Sequence, residues 1–321
     1  SDKNGNAGFK KINPGVVKVT CSFTGYASHS KKVTISAGTQ SVINFHLSDE
    51  AIPIPEVVVT ATRGIERETP ITFTNLPSED IQKLTRSNDL TYALNSLPSV
   101  NLHSENGNGL GYSYIRLRGF DQRRISVLIN GVPQNDPEDH SVYWINFYDL
   151  AGSLEDAQVQ RGAGAAFYGP PSIGGSINLV TKSPSSVSSI TTEAGYGSFN
   201  THKYSLSAHS GKIGNHFNFY GRVTRVTSDG YRDWSWSKFW RYFAGASYND
   251  QNHSLRINFW GGPQEDGLAF YGIPKADNND ELLRKANYGS YLKDREYLNQ
   301  PQFLFAHDFK LNTDLTLHNT L

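Results

Sequence analysis

The last third of the chain alternates between apolar and polar residues over stretches about as long as a strand that crosses a membrane. In residues 253–261 the alternation places Leu255, Ile257 and Phe259 on one face and three polar residues on the other. A tilted strand of roughly ten residues spans a bilayer. Soluble β-sandwiches alternate as well, so periodicity alone leaves both architectures open. No run of eighteen apolar residues occurs, which excludes a helical span.

The connections between these stretches favour a membrane barrel. Residues 212–215, 249–252 and 312–313 are predicted as short turns, whereas residues 227–237 and 262–301 are predicted as longer loops. Short turns at one end and long loops at the other are typical of outer-membrane barrels. A structureless loop of about forty residues would be unusual inside a compact soluble domain.

Composition separates this region from the rest of the chain and excludes several classes of protein. Aromatic residues number 15 among the first 182 residues and 24 among the last 139. The balance of 30 basic against 30 acidic residues argues against nucleic acid as the main partner. A single cysteine excludes a disulfide framework and a cysteine-based zinc site.

Two smaller domains and a linker are predicted before the barrel strands, which occupy residues 183–321. Residues 1–50 are predicted to form a small β-sandwich-like domain whose third strand covers residues 41–48. Residues 51–64 begin with two prolines in five positions and are predicted as an exposed, extended linker. Residues 65–182 mix helical and strand-like runs, which is typical of a compact α+β domain.

Within the α+β region the periodicity locates the elements. Helices are predicted over residues 78–84 and 89–97, the second ended by Pro98. Strands are predicted over residues 114–118, 124–129, 157–160 and 175–181.

Several segments, taken in order, resemble TonB-dependent outer-membrane transporters. Glu56-Val-Val-Val-Thr-Ala-Thr-Arg63 is similar to their TonB box, which also stands on a linker just before the plug domain. The region after it resembles the plug through five motifs, at residues 94–100 (LNSLPSV), 115–119 (IRLRG), 127–133 (VLINGVP), 159–162 (VQRG) and 173–179 (IGGSINL).

The first domain resembles the carboxypeptidase-regulatory-like β-domain that precedes the box in many Bacteroidetes receptors, through residues 13–15, 23–26 and 44–47. The resemblance implies a mainly β chain: this domain, an α+β plug and the first strands, about seven, of a 22-stranded antiparallel transmembrane β-barrel. About seven strands cannot close around a plug, so we expect the chain to be the N-terminal portion of a longer protein.

The resemblance also implies energy-coupled import across the bacterial outer membrane. The partner would be the C-terminal domain of TonB, driven by the inner-membrane proton motor, with the first domain and the box in the periplasm. The extended, valine-rich box could pair as an added strand with an exposed sheet edge of TonB. The alternative is that it forms another strand of the first domain. The residues assigned to TonB binding are Glu56, Val57, Val58, Val59, Thr60, Ala61, Thr62 and Arg63. The other expected partners are outer-membrane lipid, an extracellular ligand and a surface lipoprotein. Nucleic acid is not expected as a partner.

Two arginines are candidates for a latch between the plug and the barrel wall. Arg118 and Arg161 each precede a glycine in what resembles the plug sheet. A buried arginine needs a carboxylate partner, and breaking such a pair is costly. The alternative is that Arg118 and Arg161 lie on the surface and are solvated.

Candidate ligand-binding side chains come from the segments expected to reach the outside. They are Tyr112, His140, Tyr143 and Trp144 in the plug loops, and Trp234 and Trp236 in the first long loop. Such side chains offer flat apolar faces and a polar handle to a bulky chelate. Each of these side chains could instead pack between the plug and the barrel, or belong to the girdle of aromatic residues at the membrane interface.

No motif predicts catalysis, a metal site or a cofactor. The acidic stretches at residues 135–140 and 277–281 fit neither an EF-hand nor a zinc motif and are predicted to be solvated loops. No nucleophile elbow is present. We therefore expect a protein that is not an enzyme.

An iron chelate, such as a ferric siderophore, is the favoured substrate. Residues 118–131 lack the Ser-rich insert usual in SusC-type glycan importers, and Asn130 stands where aspartate is usual. A SusC-like glycan or peptide importer remains an alternative, as does an adhesin or structural β-protein that transports nothing. A receptor that signals to a sigma regulator would need a different domain before the box.

Overall fold

The computed structural model describes residues 7–9, 11–23, 26–46, 64, 67–68, 71–86, 88–162, 172–185, 187–214, 216–289, 293–312 and 315–321. The chain divides into two compact units, Ser1–Pro55 and Glu56–Leu321. No helix in the described part of the chain is long and apolar enough to cross a membrane.

The first unit contains an antiparallel hairpin of β1 (Gly15–Phe23) and β2 (Tyr26–Ile35). The third predicted strand is wrong over residues 41–46, which form no strand. This segment is held to β2 by a side chain instead, because the Lys31 ammonium donates to the Asn44 carbonyl over 2.6 Å. An alternating sequence becomes a strand only when a neighbouring backbone offers a ladder.

The second unit begins with a five-stranded sheet and two short helices. Its elements are β3 (Thr72–Pro77), α1 (Ser78–Leu84), α2 (Leu90–Asn95), β4 (Val100–Ser104), β5 (Ser113–Leu117), β6 (Ile125–Ile129), β7 (Val132–Pro133), β8 (Leu154–Arg161) and β9 (Gly175–Thr181). The sheet has the order β3-β8-β9-β6-β7, in which only β6 and β9 are parallel. The β4–β5 hairpin stands apart from it.

Both predicted helices are confirmed, and their apolar faces reach the core. The side chain of Asp89 accepts a hydrogen bond from the Leu90 amide and begins α2. Leu90, Ala93 and Leu94 are completely buried, as the helical period predicts. The central strands β6 and β9 are buried along their whole length, which is typical of parallel strands covered on both faces.

In the described part of residues 187–321, nine strands follow as an antiparallel meander. They are β10 (Ser188–Gly197), β11 (Thr201–Ser210), β12 (Phe217–Ser228), β13 (Ser237–Asn249), β14 (His253–Gly261), β15 (Gln264–Gly267), β16 (Arg295–Leu298), β17 (Gln302–Lys310) and β18 (Thr316–Thr320). The order is β10-β11-β12-β13-β14-β17-β18, and β15 pairs with both β13 and β16.

On β11, β12 and β14 the polar side chains are mostly buried and the apolar side chains are mostly exposed. On β14, Arg256 and Asn258 are 5% and 1% exposed, whereas Ile257 and Phe259 are 38% and 40% exposed. A soluble sandwich does the reverse, because water would surround the outer face. The pattern is that of a membrane barrel whose polar inner face packs against a plug.

The predicted loop over residues 262–301 is partly wrong, because it contains β15 and β16. Gly261 and Gly262 adopt φ of 155° and 137°, which side-chain-bearing residues rarely adopt, and a Cβ on Gly262 would lie 2.1 Å from the Trp240 carbonyl oxygen. The backbone bends there, and pairing then resumes with Phe239. Among the described residues, 268–289 and 293–294 form no strand and belong to a long loop, at the same end as residues 229–236.

Candidate functional site

A buried carboxylate of the plug is held by side chains of two barrel strands. The Arg222 guanidinium donates to Asp149 through Nε over 2.9 Å and Nη2 over 3.2 Å. The Lys203 ammonium lies 2.7 Å from the same carboxylate, and the Thr224 hydroxyl donates to it over 2.5 Å. Arg222 also contacts Glu193 over 3.0 Å. Asp149 therefore ties β11 and β12 directly to the plug, and Glu193 on β10 joins the cluster through Arg222.

The electrostatics of Asp149 favour its ionised form. Burial alone would raise the pKa of this carboxyl, but the charges of Lys203 and Arg222 outweigh burial and hold the pKa well below its ordinary value. Its backbone has φ of 63°, in the left-handed region. Gly152 packs so closely against Arg222 that a Cβ there would lie 2.6 Å from the guanidinium carbon. Asp149, Arg222 and Lys203 are not among the site residues predicted from the sequence.

Two more buried arginines contact backbone carbonyls of the plug. On β14, Arg256 donates to the Thr181 and Lys182 carbonyls over 2.7 and 3.0 Å. On β13, Arg241 donates to the Ile145 carbonyl over 2.9 Å. Hydrogen bonds from charged donors are stronger than neutral ones, so these contacts add to the attachment of the plug.

A cavity of about 410 Å³ opens between the plug segment 133–147 and residues 298–302 of the barrel strands. Tyr112 and Tyr143, both predicted as ligand-binding, line it, with ring centroids 6.5 Å apart in an edge-to-face arrangement. The hydroxyl of Tyr112 donates to both carboxylate oxygens of Glu296 over 3.0 Å. Burial and the Glu296 charge raise the pKa of Tyr112 well above its ordinary value, so its hydroxyl remains a donor.

The long loop is fastened by one arginine of the first loop. Arg232 donates to the carbonyls of Ala269, Tyr271 and Ala286, and to that of Glu105 in the plug over 3.3 Å. The guanidinium therefore connects residues 268–289 to the apex of the plug.

The other predicted ligand residues are dispersed. Trp144 is 1% exposed and belongs to the core, whereas His140 is exposed at a turn with φ of 63°. Trp234 and Trp236 contact each other edge to face at 5.9 Å, and the Trp234 indole donates to the Asp294 carbonyl over 2.7 Å. Neither tryptophan is among the described residues that line the cavity.

The remaining predicted residues lie on the plug or outside the described part of the chain. Arg118 is exposed, and its guanidinium lies over Gly162, whereas Arg161 donates to the Thr74 hydroxyl over 2.8 Å. Neither has a carboxylate partner among the described residues, so their latch role stays a prediction. The predicted box, Glu56–Arg63, falls outside the described residues. No group of three or more His, Cys, Asp or Glu in the described ranges is arranged to hold a metal ion.

Sequence comparison matches residues 65–176 to the family described as the TonB-dependent receptor plug domain. The ferric enterobactin receptor of Pseudomonas aeruginosa is 26% identical over 201 residues, 57% of this chain and 26% of that protein. The vitamin B12 transporter BtuB of Vibrio vulnificus is 30% identical over 145 residues, 44% of this chain and 23% of that protein. The chain therefore spans about a quarter of the length of these relatives.

Solved structures have the same fold. The ferric-catecholate import receptor Fiu of Escherichia coli, in its closed form, superimposes with a TM-score of 0.62 at 23% identity, over 78% of this chain and 36% of that one. The ferric citrate transporter FecA, without ligand, gives a TM-score of 0.59 at 22% identity, over 75% of this chain and 37% of that one.

Proposed function

We propose that the chain is part of an outer-membrane transporter that imports an iron chelate, because residues 65–176 match the model of the TonB-dependent receptor plug domain. The attachment of the plug to the polar face of the barrel strands carries this proposal. Asp149, Arg222 and Lys203 form an ionic contact that holds the plug, and it must break if the plug is to move.

We assign each domain a place in this cycle. Residues 1–50 form a periplasmic domain of the carboxypeptidase-regulatory-like, Bacteroidetes type, and residues 51–64 form the linker that carries the box. Residues 65–182 form the plug, and residues 183–321 supply strands of the barrel, whose exposed apolar face contacts lipid. The separation of Ser1–Pro55 from the rest of the chain supports this division.

Import proceeds by capture and pulling, without covalent chemistry. A ligand binds from outside, TonB pairs with Glu56–Arg63 as an added strand, and the pulling force loosens the plug. Removing one partner of a buried ion pair costs about 3–5 kcal/mol, so the Asp149 contact resists spontaneous opening and yields to a motor. Arg118 and Arg161 remain the latch residues proposed from the sequence.

The substrate class rests on the relatives. Proteins named as ferric enterobactin and ferric-catecholate receptors are among those similar to this chain, which supports an iron chelate. The vitamin B12 transporter is the observation that favours cobalamin as a second candidate.

The test is uptake of radiolabelled ferric siderophores, cobalamin and glycans by cells that carry the full-length receptor. Val58→Pro removes a backbone donor from the box and should abolish uptake, whereas Val58→Ile should preserve it, because strand pairing uses the backbone. Loss of uptake with retained surface binding supports the proposal. Equal binding in both variants with no uptake in either would leave the adhesin alternative.

A further inference from the structure

Two basic side chains lie on the apolar outer face of the barrel strands, near the end that carries the long loops. Arg225 on β12 and Lys238 on β13 are on the same face as the exposed residues Leu206, Val223 and Trp240. The opposite face of these strands carries the groups that contact the plug. A cation on a lipid-facing strand is unfavourable in the middle of the bilayer and is tolerated near its interfaces. The depth of this basic pair therefore decides what it can bind.

Aromatic residues of the outer face place the pair at one interface of the membrane. Tyr204 and Trp240 oppose Arg225 from the two neighbouring strands, and Phe217 packs against Tyr248 near the far end of the same face. Arg225 and Phe217 lie on one strand, β12, at a separation of roughly 27 Å along the strand. At a tilt of about 40° this corresponds to roughly 20 Å across the membrane, close to the apolar band of about 25 Å between the aromatic girdles of membrane barrels. The basic pair therefore lies at the interface next to the long loops.

The two cations are placed to share one anionic group. Arg225 opposes Trp240 and Thr227 opposes Lys238, so Arg225 and Lys238 are diagonal neighbours on adjacent strands. Diagonal neighbours are roughly 7–8 Å apart, within reach of long side chains. The Arg225 guanidinium lies 5.2 Å from the centre of the Trp240 ring, and the Lys238 ammonium lies 5.0 Å from that of Trp236. These rings hold the cations in position without neutralising their charge.

Nearby carboxylates leave the charge of the pair available. Arg225 and Lys238 form no ion pair with a carboxylate in the described part of the chain, where the strands on both sides of β12 and β13 are included. Glu265 is the cross-strand neighbour of Lys238, but its carboxylate lies 3.8 Å from the guanidinium of Arg295. Two cations therefore face the membrane interface together, where an anionic lipid headgroup complements them.

We propose that Arg225 and Lys238 bind a phosphate group of lipid A, the phosphorylated glycolipid of the outer leaflet of the outer membrane. Guanidinium and ammonium groups donate charge-assisted hydrogen bonds to phosphate oxygens. The exposed side chains of Leu206 and Val223 lie deeper on the same face and pack against the acyl chains. Lipid A is the phosphorylated lipid of this leaflet, and the long-loop end faces outward in the orientation proposed above. The site rests on that orientation and is independent of the imported substrate.

The experiment measures binding of radiolabelled lipids, in mixed detergent micelles, to the purified and delipidated full-length receptor. The probes are lipid A with both phosphates, the same lipid A with its phosphates removed, and phosphatidylglycerol. We expect lipid A with phosphates to bind roughly thirtyfold more tightly than the dephosphorylated form, about fivefold for each cation. High salt should reduce this difference.

Two double substitutions separate the site from net charge. Arg225→Gln with Lys238→Gln should abolish the preference for phosphorylated lipid A and leave binding of the dephosphorylated form unchanged. The matched control is Lys275→Gln with Arg284→Gln, which removes the same charge from exposed positions of the long loop and should preserve the preference. Circular dichroism checks the folding of each variant, and the comparison of lipids on the unaltered receptor tests the proposal without any substitution.

The outcomes distinguish the lipid site from the import function. Equal binding of lipid A with and without its phosphates, or an equal loss of preference in the two double variants, would overturn the proposal. Phosphatidylglycerol that binds as tightly as lipid A would overturn the assignment to lipid A. Uptake that depends on the box tests import separately: its absence, with the preference for phosphorylated lipid A intact, would refute import and leave the lipid site standing.

Discussion

Replacing Asp149 by asparagine should loosen the plug without altering its shape. The side chains of Asp149, Arg222 and Lys203 are only 3%, 5% and 10% exposed. Asparagine keeps a similar volume and an acceptor oxygen but removes the charge that both cations face. Leaving a buried charge without its partner costs about 3–5 kcal/mol. Because Glu193, 45% exposed, still contacts Arg222, we expect Asp149→Asn to lower the free energy that holds the plug by about 3 kcal/mol.

A loss of about 3 kcal/mol raises the population of the detached plug roughly a hundredfold. Hydrogen–deuterium exchange of the full-length receptor in detergent measures this, because exchange of buried plug amides reports the free energy of opening. Peptides that cover β8 and β9 should exchange roughly a hundredfold faster in Asp149→Asn, while strand peptides on the far side of the barrel should not change.

The matched control is Asp121→Asn. Asp121 also pairs with an arginine, Arg123, over 3.2 Å, but the two side chains are 47% and 61% exposed. An exposed pair contributes about 0–1 kcal/mol, so exchange should change little. Equal exchange in Asp149→Asn and Asp121→Asn would refute the reasoning. Arg222→Met added to Asp149→Asn should recover part of the loss, because it removes one uncompensated charge.

Three further changes test other contacts. Burial is the main cause that raises the pKa of Asp89 to about 7. The stability that this residue contributes is therefore present below pH 4 and is lost as the pH rises through 7. The free energy of unfolding of Asp89→Asn, measured with denaturant, should lack this pH dependence, and a pH profile equal to that of the unaltered protein would contradict the assignment. Gly152→Ala places a methyl group against Arg222 and should reduce the free energy of unfolding by about 1–3 kcal/mol, whereas Gly272→Ala, with open space around it, should have no effect. Arg232→Ala should accelerate amide exchange at least tenfold in residues 268–289, and protection equal to that of the unaltered receptor would show that Arg232 does not fasten the loop.

The fold could be predicted largely because its signals are local. The helical period located α1 and α2, and Pro98 explains why α2 ends. Two-residue alternation located β14 and indicated that the last third of the chain forms the barrel strands. The elements that sequence reasoning missed include β3, β4, β7, β15 and β16, which are two to six residues long, and an alternation that short does not stand out from the neighbouring turns.

The candidate site was predicted less well. Tyr112 and Tyr143 line the cavity as expected, but Trp144 is in the core, because an aromatic residue inside an apolar run is drawn to burial as readily as to a ligand. Asp149 was missed although it is charged within the apolar run at residues 142–151. An inward-facing arginine such as Arg222, on the polar side of an alternating strand, is the signal that could have found its partner.

The sequence alone determined the class of architecture, because alternation and short turn motifs act between residues that are close along the chain. The tertiary structure alone decided the function-bearing contacts. Asp149 and Arg222 are separated by 73 positions, and the cavity joins a plug loop to residues 298–302. Charges and amides interact through space, and only the packing of the plug against the strands makes these residues neighbours.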